Sequence, residues 1–289
     1  VQTCALPILW HSLFYLSLFI KPVYADYDVN KTKQMLYLAQ ASYCPKVTPT
    51  NWDCTYCENS VVLEKVIENN GAKALVGYHS DYDALFVAFR GSENIENWIN
   101  DIKIDFVYPY YFSDNYQPFD WENIGIEKGF YNTYEDLERD IIKTLTTLKD
   151  KYKTTTIYTT GHSLGAISTI FAFEIFYFYP EFVVEFDATF GSPRIGNQEF
   201  VNAFRFADIE STRVTHYYDI VPHIPQEILK YKHVPNEIWY NKDNTDYKVC
   251  DDSRGEDDSC SNSCGPLHCD SIDNHMNYMG VNMGSEGDC

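Results

Sequence analysis

The residues of this chain best suited to chemistry are Gly161-His162-Ser163-Leu164-Gly165, within "TTTIYTTGHSLGAIS" (154–168). The pattern G-x-S-x-G suits a serine nucleophile. Such a serine projects from a tight strand-to-helix turn, and the positions two residues either side must be small because strand and helix approach closely there. The flanks agree: a β-branched run before the motif predicts a strand, and an apolar run after it predicts a helix. The start of that helix would aim backbone N–H groups at an oxyanion. The competing reading is a serine in an ordinary glycine-bounded turn.

A nucleophilic serine needs a base, and the base needs an orienting acid. In this type of fold the chain order is Ser, Asp or Glu, then His. Asp219 follows "VTHYY" and precedes "IVPHIP", so it stands at the carboxyl end of a predicted strand, where α/β sites are built. Asp187, within a strand-like run, and Asp208, in "FADIE", are less well placed. His223 and His233 lie close to Asp219 in sequence, and His268 is flanked by cysteines. His275, in "SIDNHMNY", is the expected base, with His268 as the alternative. A second oxyanion donor belongs after an early strand, and "LFVAFRGSENIENWINDI" (85–102) offers Ser92 with both its N–H and its hydroxyl. Beyond it, Ile95, Trp98 and Ile99 share one face of a very short helix. That face is either ordinary core packing or the underside of a movable lid that opens against an oily surface.

The elements that must position these residues alternate. Residues 28–42 predict a helix, 72–80 and 84–90 a hairpin, and 61–70 a short helix or a turn into a strand. The segment 105–127 is rich in Tyr, Pro and Asp and predicts a long surface loop. Tyr134–Tyr152 is amphipathic, with Leu137, Ile141, Leu145 and Leu148 on one face and Lys149 and Lys151 in the last turn. Strands follow at 154–160, 182–190 and 212–220, with a helix between the first two that stops at Pro180. The alternation predicts an α/β fold with a largely parallel sheet. Residues 241–274 are polar and cysteine-rich and predict an irregular region.

Residues 1–25 read as a signal peptide, from the apolar run Leu6–Ile20 and the small residues before Asp26, which leaves 26–289 as a single domain. The formal net charge of −20 argues against nucleic acid and against anionic lipid surfaces; a neutral substrate is favoured. No stretch after residue 25 is long and apolar enough to span a membrane. Of nine cysteines, eight lie beyond residue 25. An even number behind a signal sequence reads as a disulfide framework in an oxidising compartment. Zinc held by Cys54 and Cys57, or by Cys260, Cys264, Cys269 and His268, is the alternative. The sequon Asn30-Lys31-Thr32 is compatible with secretion.

Taken together, "ASYCPKVTPTNWDCTYC", "FRGSENIENWINDI", "GHSLGA", "FGSPRIGN", "YYDIVPHIP" and "CSNSC…DNHMNYMGVN" resemble, in order, the blocks of the fungal-type (class 3) triacylglycerol lipases. The resemblance runs from about Lys33 to Cys289. It implies an α/β-hydrolase fold, a central mostly parallel sheet flanked by helices, with a short helical lid carrying Trp98. It also implies a Ser163–Asp219–His275 triad and an oxyanion held by Ser92 and the Leu164 N–H. Asp101 would fix the Ser92 hydroxyl. The same resemblance implies Cys44–Cys289, Cys54–Cys57 and Cys250–Cys260, and leaves Cys264–Cys269 as a bridge beyond the family pattern. Glu127 stands where the family usually has histidine, and Ala166 where glycine often follows Gly165. The function so implied is a secreted or vacuolar serine ester hydrolase that is monomeric, needs no cofactor or metal, and releases fatty acids from acylglycerols at a lipid–water interface. The alternatives are a phospholipase A1 or feruloyl-type esterase with the same triad, and a non-catalytic binding protein.

Overall fold

The computed structural model describes residues 27–102, 104–109, 119–251, 256–264, 268–284 and 289, except the side chain of Asp101; the signal peptide read over 1–25 lies outside them. Helix α1 (Val29–Ala41) is capped by Asp28, whose carboxylate accepts from the N–H groups of Asn30 and Lys31. Strands β1 (Val61–Asn69), β2 (Ala72–His79) and β3 (Ala84–Phe89) then form an antiparallel meander. The stretch left open between helix and turn at 61–70 is thus a strand, bulged between Leu63 and Lys65. Val61, Leu63 and Ile67 are buried there, an extended pattern broken only by the bulge.

A short helix α2 (Ile95–Asp101) follows. Strand β4 (Phe106–Val107) pairs with β5 (Ile126–Glu127). Where described, the segment expected as a surface loop therefore carries a strand pair, and it buries Trp121, Ile124 and Ile126. Helix α3 (Lys128–Tyr152) starts six residues before the predicted Tyr134 because Glu127 caps it, accepting from the Phe130 N–H at 2.8 Å. Its predicted apolar face, Leu137, Ile141, Leu145 and Leu148, is buried.

Strand β6 (Thr156–His162) runs into a 3-10 turn (Ser163–Ile167) and helix α4 (Ser168–Phe178). Then come β7 (Val183–Phe190), α5 (Gln198–Phe206), β8 (Ser211–His216), β9 (Glu237–Tyr240) and β10 (Tyr247–Val249). The predicted strand 212–220 ends at His216, which leaves Asp219 in the turn beyond it. The last elements are α6 (Ile272–His275), β11 (Asn277–Tyr278) and β12 (Val281–Asn282). The main sheet has eight strands in the order β1-β2-β3-β6-β7-β8-β9-β10. The pairs from β3 through β9 are parallel, and the pairs at either end are antiparallel.

Burial on both faces explains the apolar composition of β3. Leu85, Val87 and Phe89 point into a core with α3, α4 and α5, while Phe86 and Ala88 point into one with α1 and the C-terminal strands. Side chains alternate along a strand, so an all-apolar strand belongs at the centre of a sheet covered on both sides. Helix α4 lies deepest, buried from Ser168 through Ile175. Four disulfides close the framework: Cys44–Cys289, Cys54–Cys57, Cys250–Cys260 and Cys264–Cys269. The sulfurs weighed as zinc ligands are therefore engaged in disulfides. Among the described residues no helix is long and apolar enough to cross a membrane.

Candidate active site

Ser163 sits at the turn between β6 and α4 with φ +58°. That left-handed conformation is rare for a residue with a Cβ and marks a constrained site. The flanking glycines are required by contact. A Cβ on Gly161 would lie 1.9 Å from the Gly165 carbonyl oxygen, and one on Gly165 would lie 2.3 Å from that of Phe89. Neither gap admits a methyl group, so the turn can be this tight only with glycine at both positions.

Asp219 follows β8, and His275 ends α6. Two segments distant in sequence are laced together to bring them into contact: Ser271 N–H donates to the Tyr218 carbonyl at 3.0 Å, and the Ser271 side chain caps α6. His275 Nδ1 lies 2.9 Å from Asp219 Oδ2. The Val221 N–H donates to Asp219 Oδ1 at 2.8 Å, and the Tyr278 hydroxyl donates to Oδ2. All four residues are buried, so the carboxylate is surrounded by donors away from bulk solvent, where such bonds are strongest. With Nδ1 donating to Asp219, a neutral His275 presents Nε2 as an acceptor. Ser163 Oγ and His275 Nε2 are both buried, and neither has a hydrogen-bond partner among the described residues. Unpaired buried polar atoms are uncommon and call for an explanation such as catalysis.

His162 ties these parts to the loop after β3. Its Nε2 donates to the His275 carbonyl at 2.8 Å, and its Nδ1 accepts from the Tyr43 hydroxyl at 2.8 Å. The Gly91 N–H in turn bonds the Tyr43 oxygen. Burial, then the nearby His275, push the His162 pKa well down, so the ring is neutral. A Cβ on Gly91 would meet the Tyr43 hydroxyl at 2.0 Å and Ser163 Cβ at 3.1 Å, which places the loop bearing Ser92 against the serine. Leu164 is half-buried just after Ser163. Asp101, expected to bond Ser92, lies outside the described side chains.

Ile95, Trp98 and Ile99 are half-buried in α2. The Trp98 ring stacks on Phe130 with centroids 5.9 Å apart, so α2 lies with its apolar face inward. The remaining candidates lie elsewhere or are engaged otherwise. Asp187 is buried beneath α4, accepting from the Ser168 and Thr169 hydroxyls at 2.8 and 2.9 Å. Asp208 lies in the turn after α5, and His268 is exposed. His233 Nε2 donates to the Pro222 carbonyl at 2.7 Å, and His223 faces Cys264. Sequence reasoning missed Tyr43, His162 and Tyr278 as parts of the site. The spacing His275-x-x-Tyr278 around a short turn was the one available signal for the last.

A mostly parallel sheet with helices on both faces and a serine at the strand-to-helix turn is the α/β-hydrolase architecture. Residues 86–229 match the family described as lipase (class 3). The chain is 28% identical to a lipase of Rhizomucor miehei over 267 residues, covering 89% of this chain and 70% of that one. It is 29% identical to a secreted mono- and diacylglycerol lipase of Fusarium solani over 256 residues, covering 78% and 69%. The solved structure of the Rhizomucor miehei triacylglyceride lipase superposes with a TM-score of 0.77 at 28% identity, covering 89% and 96%. The chain belongs to the class 3 lipase family and is an ester hydrolase of lipase type.

Proposed function

We propose that the chain cleaves carboxylic esters of acylglycerols through an acyl-enzyme on Ser163. The observation that carries this reading is the pair of buried, unpartnered atoms, Ser163 Oγ and His275 Nε2, behind a histidine held by Asp219. In the first step Ser163 Oγ attacks the ester carbonyl while His275 Nε2 takes its proton. Asp219 and its donors hold the imidazole in one tautomer and stabilise the imidazolium that forms. The N–H groups of Ser92 and Leu164, with the Ser92 hydroxyl, receive the negative charge on the carbonyl oxygen. His275 then returns the proton to the departing glyceryl oxygen. Water repeats the sequence to release the fatty acid.

The inward Trp98 face of α2 supports a lid that must move before a lipid reaches Ser163. The secreted relative in Fusarium solani and the four disulfides support an extracellular enzyme from which residues 1–25 are removed. The mono- and diacylglycerol activity in that relative's name favours partial glycerides as a second substrate reading. Turnover of emulsified triglyceride, diglyceride, phospholipid and a soluble feruloyl ester, each against Ser163→Ala, separates these substrates. Wild-type protein that hydrolyses none of them and takes up no organophosphonate at Ser163 would end the enzymatic reading.

A further inference from the structure

An open cavity of about 720 Å³ lies between the β1–β2 turn and the loop leaving β3, with Tyr43, Glu68, Gly71, Lys73, Arg90 and Glu93 on its walls. Its wall holds a loosely bound ammonium. Lys73 is 4% exposed. Its Nζ lies 3.5 Å from the Cys44 carbonyl oxygen and 3.7 Å from Glu68 Oε1. Charge-assisted N–H···O bonds normally close to about 2.7–2.9 Å, so these acceptors satisfy the group poorly. Burial lowers the Lys73 pKa, against the pull of Glu68. A buried cation left this way is costly.

The charges around Lys73 are arranged by depth. Arg90 stands beside it, with Nη1 on Glu93 at 2.6 Å, Nη2 on the Gly71 carbonyl at 2.8 Å and Nε buried without a partner among the described residues. The two acids sit outward in water, with side chains 61% exposed for Glu68 and 67% for Glu93. Asn69 and Asn70 are turned to Asp136. The inner wall is therefore cationic and the mouth acidic.

We propose that this cavity binds a small, multiply charged oxyanion of the phosphate type, with its oxygens on Lys73 Nζ and its charge facing Arg90. Such an anion brings several acceptors to the distance that Glu68 does not reach. The net charge of the chain opposes entry, but repulsion beyond about 10 Å is screened at 0.1 M salt; the nearer Glu68 is not screened and competes with the anion for Lys73. Affinity in the millimolar range is expected. None of the proposed nucleophile, acid or base residues takes part, so binding is read without turnover.

The test is thermal unfolding and calorimetric titration of the full chain with inorganic phosphate through the millimolar range, with chloride matching the ionic strength. A saturable rise in Tm with a matching binding heat is expected. Lys73→Met should abolish both, and Glu68→Gln should tighten binding about fivefold by removing the competing carboxylate, an effect of about 1 kcal/mol. No saturation in the wild type, or an equal response in Lys73→Met, overturns the proposal. If Lys73→Met does not fold, Glu68→Gln decides, and unchanged or weaker binding in that variant overturns it.

Discussion

Asp219 is the residue on which the proposed chemistry turns, because it receives donors from three directions. The Val221 N–H takes one oxygen, and His275 Nδ1 shares the other with the Tyr278 hydroxyl. Removing the tyrosine hydroxyl leaves Oδ2 with one donor fewer and the imidazole less firmly held. Tyr278→Phe should lower kcat about tenfold with KM nearly unchanged, the effect of about 1.4 kcal/mol for a bond to a charged acceptor. Steady-state kinetics on a soluble short-chain ester measures it. Ser163→Ala should reduce kcat by a factor of about 10⁴ or more while leaving the unfolding transition in place; a folded variant with wild-type turnover would remove Ser163 from the mechanism. Ser163 was legible as a candidate because its motif marks it, and chain order narrowed the acid and histidine to short sets that include Asp219 and His275. Tyr43, His162 and Tyr278 were not, because their roles are contacts between elements far apart in the chain.

At the scale of elements, α2 is the piece whose position matters most. Its Asn94 cap and its Trp98 contact with Phe130 hold it with the apolar face inward. On the proposed lid reading, opening breaks that stack and exposes the tryptophan, a cost that a lipid surface offsets and water does not. Turnover of a short triglyceride should therefore jump as its concentration passes the solubility limit. Trp98→Ala should flatten the jump and raise the rate below the limit, both read from the same rate curve. A wild-type curve that is smooth through the limit counts against a functioning lid. The sequence placed α2 by its i, i+3, i+4 apolar spacing but misjudged two neighbours. It left β1 open between helix and strand, because a bulge interrupts the alternation that marks a strand. It started α3 late, because the capping carboxylate of Glu127 lies outside the apolar repeat.

For the molecule as a whole, pH acts through groups the fold buries. Burial, the largest cause in each case, raises Glu127 to about 7, Asp187 to about 7 and Glu174 to about 8. Each binds its proton more tightly folded than unfolded. Their stabilising contribution is therefore full below the unfolded carboxyl pKa, near 4, and is lost as pH rises toward 7 and 8. Burial works the other way on histidine, lowering His223 to about 4 and His162 and His233 well below the usual value. Their contribution is full above about pH 6.5 and fades as pH falls. The two sets oppose each other between about pH 4.5 and 6.5, and above that only the acids change. Tm should therefore peak in mild acid and fall by several degrees between about pH 6.5 and 8. Calorimetry across that range checks it, and Glu174→Gln should flatten the decline. The bridge Cys44–Cys289 spans 245 residues. Replacing both cysteines by serine should cost about 5 kcal/mol on the chain-entropy account, read from denaturant unfolding.

The sequence by itself determined the class of fold, the serine turn and the order of the proposed triad. Each of these rests on local pattern: alternating β-branched residues, helical apolar spacing, and glycines where strand meets helix. Tertiary structure alone decided which histidine meets Asp219, since His275 is buried against it while His268 is exposed. It also decided that Tyr43 and His162 join the loop after β3 to His275, and that Lys73 is left half-satisfied beside a cavity. Hydrogen bonding and burial act between groups brought together from distant parts of the chain, and no local spacing carries that information.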